Sequence, residues 1–311
     1  MGNIALWSVL IGGIAVLVYA ASGLFIISSF VIPLPFIPAS YNIFLLSNLA
    51  IVSCIAVFLF DTGPNTKYKN NVIYRPLKKN AKISVVMTAY NDEKSVKGAV
   101  KDFKNNMVPY KAHEIVVVDN NCKDRTAKFA KEAGARVVKE PNQGYGWACQ
   151  RALKSARGDI IILTESDGTF EAYDAKKFID YLENADLVIG SRTTRELLDQ
   201  NSQLNWFLTW GNIFLAKMIQ IRYWRKTRLT DAACTYRAMR KETYEKIKDK
   251  ITYGGNDWAL ATTIVALDSG LKVLEIPITL RKRVGESKAI GRNRIKGIKL
   301  GLRMLWDIIT Y

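Results

Sequence analysis

No aspartate, glutamate, lysine or arginine occurs before Asp61, although the 311-residue chain carries 45 basic and 28 acidic residues. The whole net charge of +17 therefore sits on the part that follows. Histidine occurs once, at His113. That excludes a two-histidine zinc site and leaves a Ser-His-Asp triad resting on one residue beside an expected strand. The four cysteines, Cys54, Cys122, Cys149 and Cys234, have no paired spacing, so neither a thiolate zinc centre nor a disulfide framework is indicated. Any metal ion must be held mainly by carboxylates, and oxygen ligands point to magnesium or manganese.

The uncharged stretch is also strongly apolar. Ile4 to Ile32 and Tyr41 to Phe60 each reach the roughly 20 residues that cross a bilayer core, and Pro33, Pro35 and Pro38 lie between them. A cleaved signal peptide would need a basic leader and one short apolar run, and neither is present. The pattern predicts a two-helix transmembrane hairpin over 1–60 (4–32 and 41–60) and a basic juxtamembrane linker over 61–81. Lys67, Lys69, Arg75, Lys78 and Lys79 follow the second run, and the turn carries no charge. Basic residues stay in the cytoplasm, so the expectation is a multi-pass protein of the cell membrane with both ends cytoplasmic.

The remaining 250 or so residues are ample for one large core. Their excess of positive charge suits a partner rich in phosphate, whether nucleic acid, anionic lipid or nucleotide. Strand-like runs at Lys82 to Thr88, Glu114 to Asp119, Arg136 to Lys139, Asp159 to Thr164 and Asp186 to Ile189 alternate with helical spacing. The helices are expected at Ser95 to Asn105, Asp124 to Ala133, Tyr145 to Ala156 and Ala175 to Leu182. Such alternation predicts an α/β fold with a doubly wound, mainly parallel sheet, whose ligands bind beyond the carboxyl ends of the strands.

Polar residues gather at those ends. The first strand runs into Thr88-Ala89-Tyr90-Asn91-Asp92-Glu93, the second ends on Asp119-Asn120-Asn121, and the fourth ends on Glu165-Ser166-Asp167. Residues two apart on an extended strand point the same way, so Glu165 and Asp167 can face one divalent ion that also meets a diphosphate. The alternative is that Glu165 is a solvated turn residue and Asp167 the single direct ligand, since magnesium often keeps several waters.

Seven segments in order resemble glycosyltransferase family 2, and within it the polyprenyl-phosphate (dolichyl-phosphate) sugar transferases. They are TAYNDE (88–93), VVVDN (116–120), NQGYG (142–146), GDIIILTESDGT (158–169), DLVIGSR (186–192), DAACTYRA (231–238) and EIPITLRKRVGESK (275–288). The resemblance implies a GT-A type transferase domain over 82–290 and an inverting reaction that uses a nucleotide-diphosphate sugar with Mg or Mn. It places Ala89, Tyr90 and Asp92 at the base and ribose, with Asp119 on the nucleobase. Glu165, Ser166 and Asp167 stand at the family's Asp-x-Asp motif, with glutamate replacing the first aspartate. Arg192, Arg237 and Arg283 match arginines that meet phosphates, and Lys288 closes the last matching segment. Asp257, in Gly254-Gly255-Asn256-Asp257-Trp258, falls near the family's acidic base. It is a base if the acceptor is a hydroxyl, and a positioning or helix-capping residue if the acceptor is an ionised phosphate. Asp167 and Asp257 are thus the candidate catalytic pair.

The partners implied are a nucleotide sugar, polyprenyl phosphate or a lipid-linked glycan, and membrane lipid, with no nucleic acid. Over 291–311, Ile295, Ile298, Leu302, Leu305 and Ile309 recur at helical spacing beside Arg292, Lys296, Lys299 and Arg303. This basic amphipathic helix either lies on a membrane surface or packs on the domain. Three readings compete: hexose or N-acetylhexosamine transfer to polyprenyl phosphate, elongation of a lipid-linked glycan at a sugar hydroxyl, and a catalytically inactive binding module. A processive synthase is disfavoured because Gln220-Ile221-Arg222-Tyr223-Trp224 places arginine one position early for its Gln-x-x-Arg-Trp motif.

Overall fold

Strands form where β-branched and aliphatic residues run together, and their register fixes where the polar ends lie. The computed structural model describes residues 11–20, 43, 45–54, 74–199, 206–224, 226–285 and 294–311. By contact density the chain forms two compact units, Met1–Asn70 with Ile221–Arg225, and Asn71–Gln220 with Lys226–Tyr311.

In the first unit the described residues are helical at 11–20 (α1) and 45–54 (α2). Among the described residues no helix is long and apolar enough to cross a membrane. The expected transmembrane hairpin and the multi-pass cell-membrane localisation, with its cytoplasmic orientation, are corrected accordingly: apolar composition over 20 residues is not matched by a described helix of that length. The rest of both runs, 4–10, 21–32, 41, 42, 44 and 55–60, lies outside the described residues, as do 61–73 of the linker.

The second unit is built on seven strands: β1 (Ile83–Ala89), β2 (Glu114–Asp119), β3 (Arg136–Lys139), β4 (Ile160–Glu165), β5 (Leu187–Ser191), β6 (Arg237–Arg240) and β7 (Val273–Pro277). Between them lie α3 (Val96–Asn105), α4 (Thr126–Glu132), α5 (Tyr145–Ser155), α6 (Ala175–Tyr181), α7 (Trp206–Arg222), α8 (Lys241–Ile247) and α9 (Trp258–Asp268), with α10 (Arg294–Thr310) at the end. The strand order is β3-β2-β1-β4-β6-β5-β7. All neighbours are parallel except that β6 runs antiparallel to both β4 and β5. The sheet is thus mainly parallel, as the sequence alternation predicts, with β6 as its one antiparallel strand. The sequence reading stops at β5 and assigns neither β6 nor β7, because Arg-Ala-Met-Arg is too short and too polar at its ends to stand out.

One face of the sheet carries Ile83, Val85 and Met87, packed with Val96, Val100 and Phe103 of α3 and Phe178 and Ile179 of α6. Tyr236, just before β6, sits in the same core, with its ring centroid 4.3 Å from that of Phe178 and 5.1 Å from that of Phe170. α9 is buried from Trp258 to Leu267, and its almost uniformly apolar sequence suits a helix surrounded by protein.

Two features of this topology position a site. The chain runs outward from β1 to β2 and β3, then returns to the other side of β1 for β4, so β1 and β4 form a topological switch point, with Thr88 opposite Glu165. Because β6 is antiparallel, its beginning, at Arg237 opposite Leu163, lies at the carboxyl ends of its neighbours. The Asp231–Tyr236 segment is thereby delivered to the same edge.

Candidate active site

Tight turns hold the strand ends together. Asn91 and Asn121 adopt φ of 53° and 60°, a left-handed conformation that asparagine tolerates better than most side chains. The Lys123 N–H donates to Asn91 Oδ1 at 2.6 Å, and Asn121 Nδ2 donates to the Pro141 carbonyl at 2.9 Å. Asn120 continues the lattice, with Nδ2 donating to the Asn142 carbonyl (2.7 Å) and Oδ1 accepting from the Gly144 N–H (3.0 Å). The ends of β1 and β2 and the loop into α5 are therefore one hydrogen-bonded block.

Beyond it opens a cavity of about 960 Å³. Ala89, Tyr90, Asp92, Glu165, Asp167, Arg192 and Arg283 line it, so seven of the sequence candidates meet in one place. Arg283 bridges two of the acids: Nη1 lies 3.2 Å from Asp167 Oδ2, and Nη2 lies 3.5 Å from Asp92 Oδ1. Asp92 also accepts from Ser166 Oγ (2.9 Å) and the Tyr90 N–H (3.1 Å), and Asp167 Oδ1 accepts from Thr169 Oγ1 (2.6 Å). Arg192 is held by Asp231 through a two-pronged pair at 2.7 and 2.9 Å. Burial opposes ionisation of Asp231, but Arg192 prevails and holds that carboxyl below the usual range. Glu275 accepts from the N–H groups of Thr230 and Asp231 at 2.8 Å and so fixes the turn that carries the pair.

Glu165 behaves differently from Asp167. Burial, followed by the negative charge of Asp167, pushes its carboxyl up to about 7. The Tyr145 hydroxyl donates to Glu165 Oε1 at 2.7 Å and is also in hydrogen-bond contact with the Thr235 hydroxyl. Burial and the charge of Glu165 hold the Tyr145 phenol well above its ordinary value, so it stays a donor. Tyr145 is located by a close backbone approach: the Gly146 N–H donates to the Gly254 carbonyl at 3.0 Å, and a Cβ on Gly146 would lie 2.3 Å from the Tyr253 carbonyl oxygen. Only glycine fits at that crossing. Tyr145 and Thr235 fall inside the NQGYG and DAACTYRA segments, but side chains brought together by an antiparallel strand leave no spacing in the sequence.

The other candidates lie elsewhere. Ser166 is buried behind Asp92, and Asp119 turns Oδ1 to the Cys122 N–H (2.8 Å) within the β2 turn. The Arg237 guanidinium donates to the carbonyls of Cys234 (2.6 Å), Ala259 (3.2 Å) and Thr235 (3.3 Å), with its carbon 5.1 Å from the Trp258 ring centroid. Asp257 precedes α9 and is 1% exposed; Oδ2 lies 3.3 Å from Arg303 Nε of α10 without forming a hydrogen bond. None of these four lines the cavity, whereas Asn120, Asn256 and Arg281, which the sequence reading did not single out, do. Lys288 lies outside the described residues.

The far walls of the cavity come from α7 and α10 and are largely apolar. Acids and arginines thus gather at the switch point of an α/β sheet and open into a large cleft, the place where sheets of this kind bind their ligands. The chain belongs to glycosyl transferase family 2, which residues 84–248 match. It is 28% identical over 223 residues to a dolichyl-phosphate hexose transferase of Haloferax volcanii, covering 69% of this chain and 92% of that one. A low-salt glycan biosynthesis hexosyltransferase, Agl6, of the same organism is 28% identical over 207 residues, covering 66% of this chain and 49% of the relative. The fold is shared with glucosyl-3-phosphoglycerate synthase from Mycobacterium tuberculosis, whose structure holds Mn2+, UDP and phosphoglyceric acid. There the TM-score is 0.57 at 18% identity, over 76% of this chain and 84% of that one.

Proposed function

We propose that this glycosyltransferase moves a hexose or N-acetylhexosamine from a nucleotide-diphosphate sugar to dolichyl or another polyprenyl phosphate. The observation that carries the reading is the set of acids at the cavity. Among the described lining residues they are Asp92, Glu165 and Asp167, and each is engaged: Asp92 and Asp167 share Arg283, and Glu165 accepts from Tyr145. A hydroxyl acceptor must lose a proton during attack and needs a free base, whereas a phosphate arrives ionised. The name of the Haloferax volcanii relative points to the same acceptor.

The donor set suits a divalent cation. Two carboxyl groups lie together, and one of them ionises reluctantly because of burial and the other's charge; a cation relieves both costs. Among the described residues no cluster of three or more such ligands exists, so Glu165 and Asp167 would share the ion with water and phosphate oxygens, as magnesium and manganese allow. When bound, such an ion neutralises charge growing on the departing nucleotide. Arg283 and Arg192 line the space where a diphosphate would lie, Arg192 with its orientation set by Asp231, and a planar guanidinium fork suits that role. The nucleoside would occupy the end lined by Ala89, Tyr90, Asp92 and Asn120, with Asp119 shaping that turn. Arg237 would act by fixing the Cys234–Thr235 backbone beneath Glu165.

The test is incubation of the purified full chain with labelled nucleotide sugars, Mn or Mg, and either polyprenyl phosphate or a hydroxyl acceptor. A sugar-phosphate-lipid product is expected, and transfer only to the hydroxyl acceptor would overturn the reading. Tyr145→Phe is expected to raise the Mn2+ concentration for half-maximal activity about tenfold, because a hydrogen bond to a charged group contributes roughly 1.5–3 kcal/mol. An unchanged metal requirement would remove Tyr145 from the ion's support.

A further inference from the structure

We infer that Glu275, on the edge strand β7, is a positioning residue for the donor's diphosphate: through Thr230 and Asp231 it sets the angle at which Arg192 meets the phosphates. The inference rests on the proposed nucleotide-diphosphate donor and adds the group that aims one of its two arginines. Glu275 stands opposite Ile189 in the β5–β7 register and does not line the cavity. Its carboxylate only accepts: Oε1 takes the N–H of Asp231 at 2.8 Å, and Oε2 takes the N–H and the hydroxyl of Thr230 at 2.8 and 2.7 Å. Every bond it makes among the described residues thus comes from an uncharged donor. Burial, with the charge of Asp231 adding to it, raises its carboxyl above the ordinary value. A buried carboxylate without a cation is costly to the fold, so its use lies in what it orients.

What it orients is the stretch around Arg192. The Thr230 oxygen lies 2.7 Å from Ser191 Oγ and 2.8 Å from Thr193 Oγ1, and those two hydroxyls are 2.8 Å apart. Because the Thr230 hydroxyl hydrogen goes to Glu275, its oxygen is left to accept from the two residues that flank Arg192. Asp231, whose own N–H is held by Glu275, accepts from the Arg192 N–H at 3.1 Å, Nε at 2.7 Å and Nη2 at 2.9 Å. Arg192 is therefore gripped through its backbone, both neighbouring side chains and two guanidinium nitrogens. Nη1 makes no bond among the described residues, and Arg192 lines the cavity, so one end of the fork stays open to a ligand. The turn itself closes locally, with the Ala233 N–H on Asp231 Oδ1 at 3.1 Å. Glu275 is not needed for that closure; it fixes where the closed turn stands relative to β5.

The test is a double-mutant cycle in the full chain, read by calorimetric titration with inorganic pyrophosphate and Mn2+ and paired with melting temperatures. Glu275→Gln keeps the size of the side chain but sets an amide NH2 against donors. The dissociation constant is expected to rise about tenfold, within what a hydrogen bond to a charged group contributes. Arg192→Ala should weaken binding at least as much. Glu275→Gln added to Arg192→Ala should change nothing further, since a residue acting through Arg192 has no effect once Arg192 is gone. Thr230→Val, which replaces the hydroxyl with a methyl, should reproduce the Glu275→Gln loss, and Thr230→Ser should restore most of it. That pair carries the test if Arg192→Ala does not fold. In the transfer assay the same Glu275 and Thr230 variants should raise KM for the donor and leave KM for polyprenyl phosphate unchanged. Additive losses in the cycle, an unchanged constant in Glu275→Gln, or equal losses in Thr230→Val and Thr230→Ser would overturn the inference. A parent that binds pyrophosphate but transfers no sugar to polyprenyl phosphate overturns the proposed acceptor and leaves the Glu275 assignment standing. A parent that binds no pyrophosphate overturns the diphosphate site and the assignment together.

Discussion

Asp167→Asn is expected to lower turnover about 1000-fold while leaving the protein folded. The carboxylate is 2% exposed, and its two oxygens have separate tasks. Oδ1 accepts from Thr169 and closes the turn after β4, and Oδ2 faces Arg283. An asparagine oxygen can still accept from Thr169, so the local turn survives. What is lost is the negative charge that would share a cation with Glu165. Lewis-acid stabilisation of a leaving phosphate contributes several kcal/mol, and each 1.36 kcal/mol is a factor of ten in rate. Arg283 keeps Asp92 as a partner in the variant, so no buried guanidinium is left uncompensated. The measurement is steady-state transfer at saturating donor with Mn2+, alongside a thermal melt. Full activity in the variant, or in the parent after EDTA treatment, would exclude a metal-dependent reaction.

Much of this site is legible in the sequence because short-range rules generate it. Parallel strands end on one edge, so Ala89, Asp119 and Glu165 belong to that edge once their strands are recognised, and the Glu165-Ser166-Asp167 spacing puts both carboxylates at the cavity. Arg283 is another matter. Only the resemblance points to it, and its bridge between Asp92 and Asp167 depends on a segment more than 100 residues away in the chain. Tyr145, Thr235 and Arg237 show the same limit. The strand that carries Thr235 to the edge runs antiparallel, and four residues of mixed polarity do not reveal that direction. Nor does a charged side chain declare its partners within the protein: Arg237 donates to backbone carbonyls, and Arg192 pairs with Asp231 while lining the cavity. The N-terminal expectation is not matched either: among the described residues no helix is long and apolar enough to cross a membrane.

Comparison of Arg283→Ala with Asp257→Asn separates a phosphate acceptor from a hydroxyl acceptor. Asp257 stands where a base would be sought, yet it is buried beside Arg303, does not line the cavity, and adds to the raised pKa of Asp307, which is due first to burial. Converting it to asparagine removes a like charge near Asp307 and leaves Arg303, 68% exposed, to water. The cost should be small, and activity on polyprenyl phosphate should stay within about tenfold of the parent, well short of the roughly 100- to 10,000-fold that a general base contributes. Arg283 faces the opposite situation. Its guanidinium is the one described group that touches both Asp92 and Asp167, and it lines the space assigned to the diphosphate. Arg283→Ala leaves those two acids without their shared cation and removes donors aimed at developing negative charge. The loss of a single such donor typically costs about 100- to 1000-fold in kcat. Both variants should be assayed at saturating donor with melting temperatures checked, and Arg283→Lys should recover only part of the activity because a point charge cannot bridge two carboxylates as a planar fork does. A dead Asp257→Asn beside a nearly normal Arg283→Ala would reverse the conclusion: Asp257 would then be the base, the acceptor a sugar hydroxyl, and the reaction the extension of a glycan.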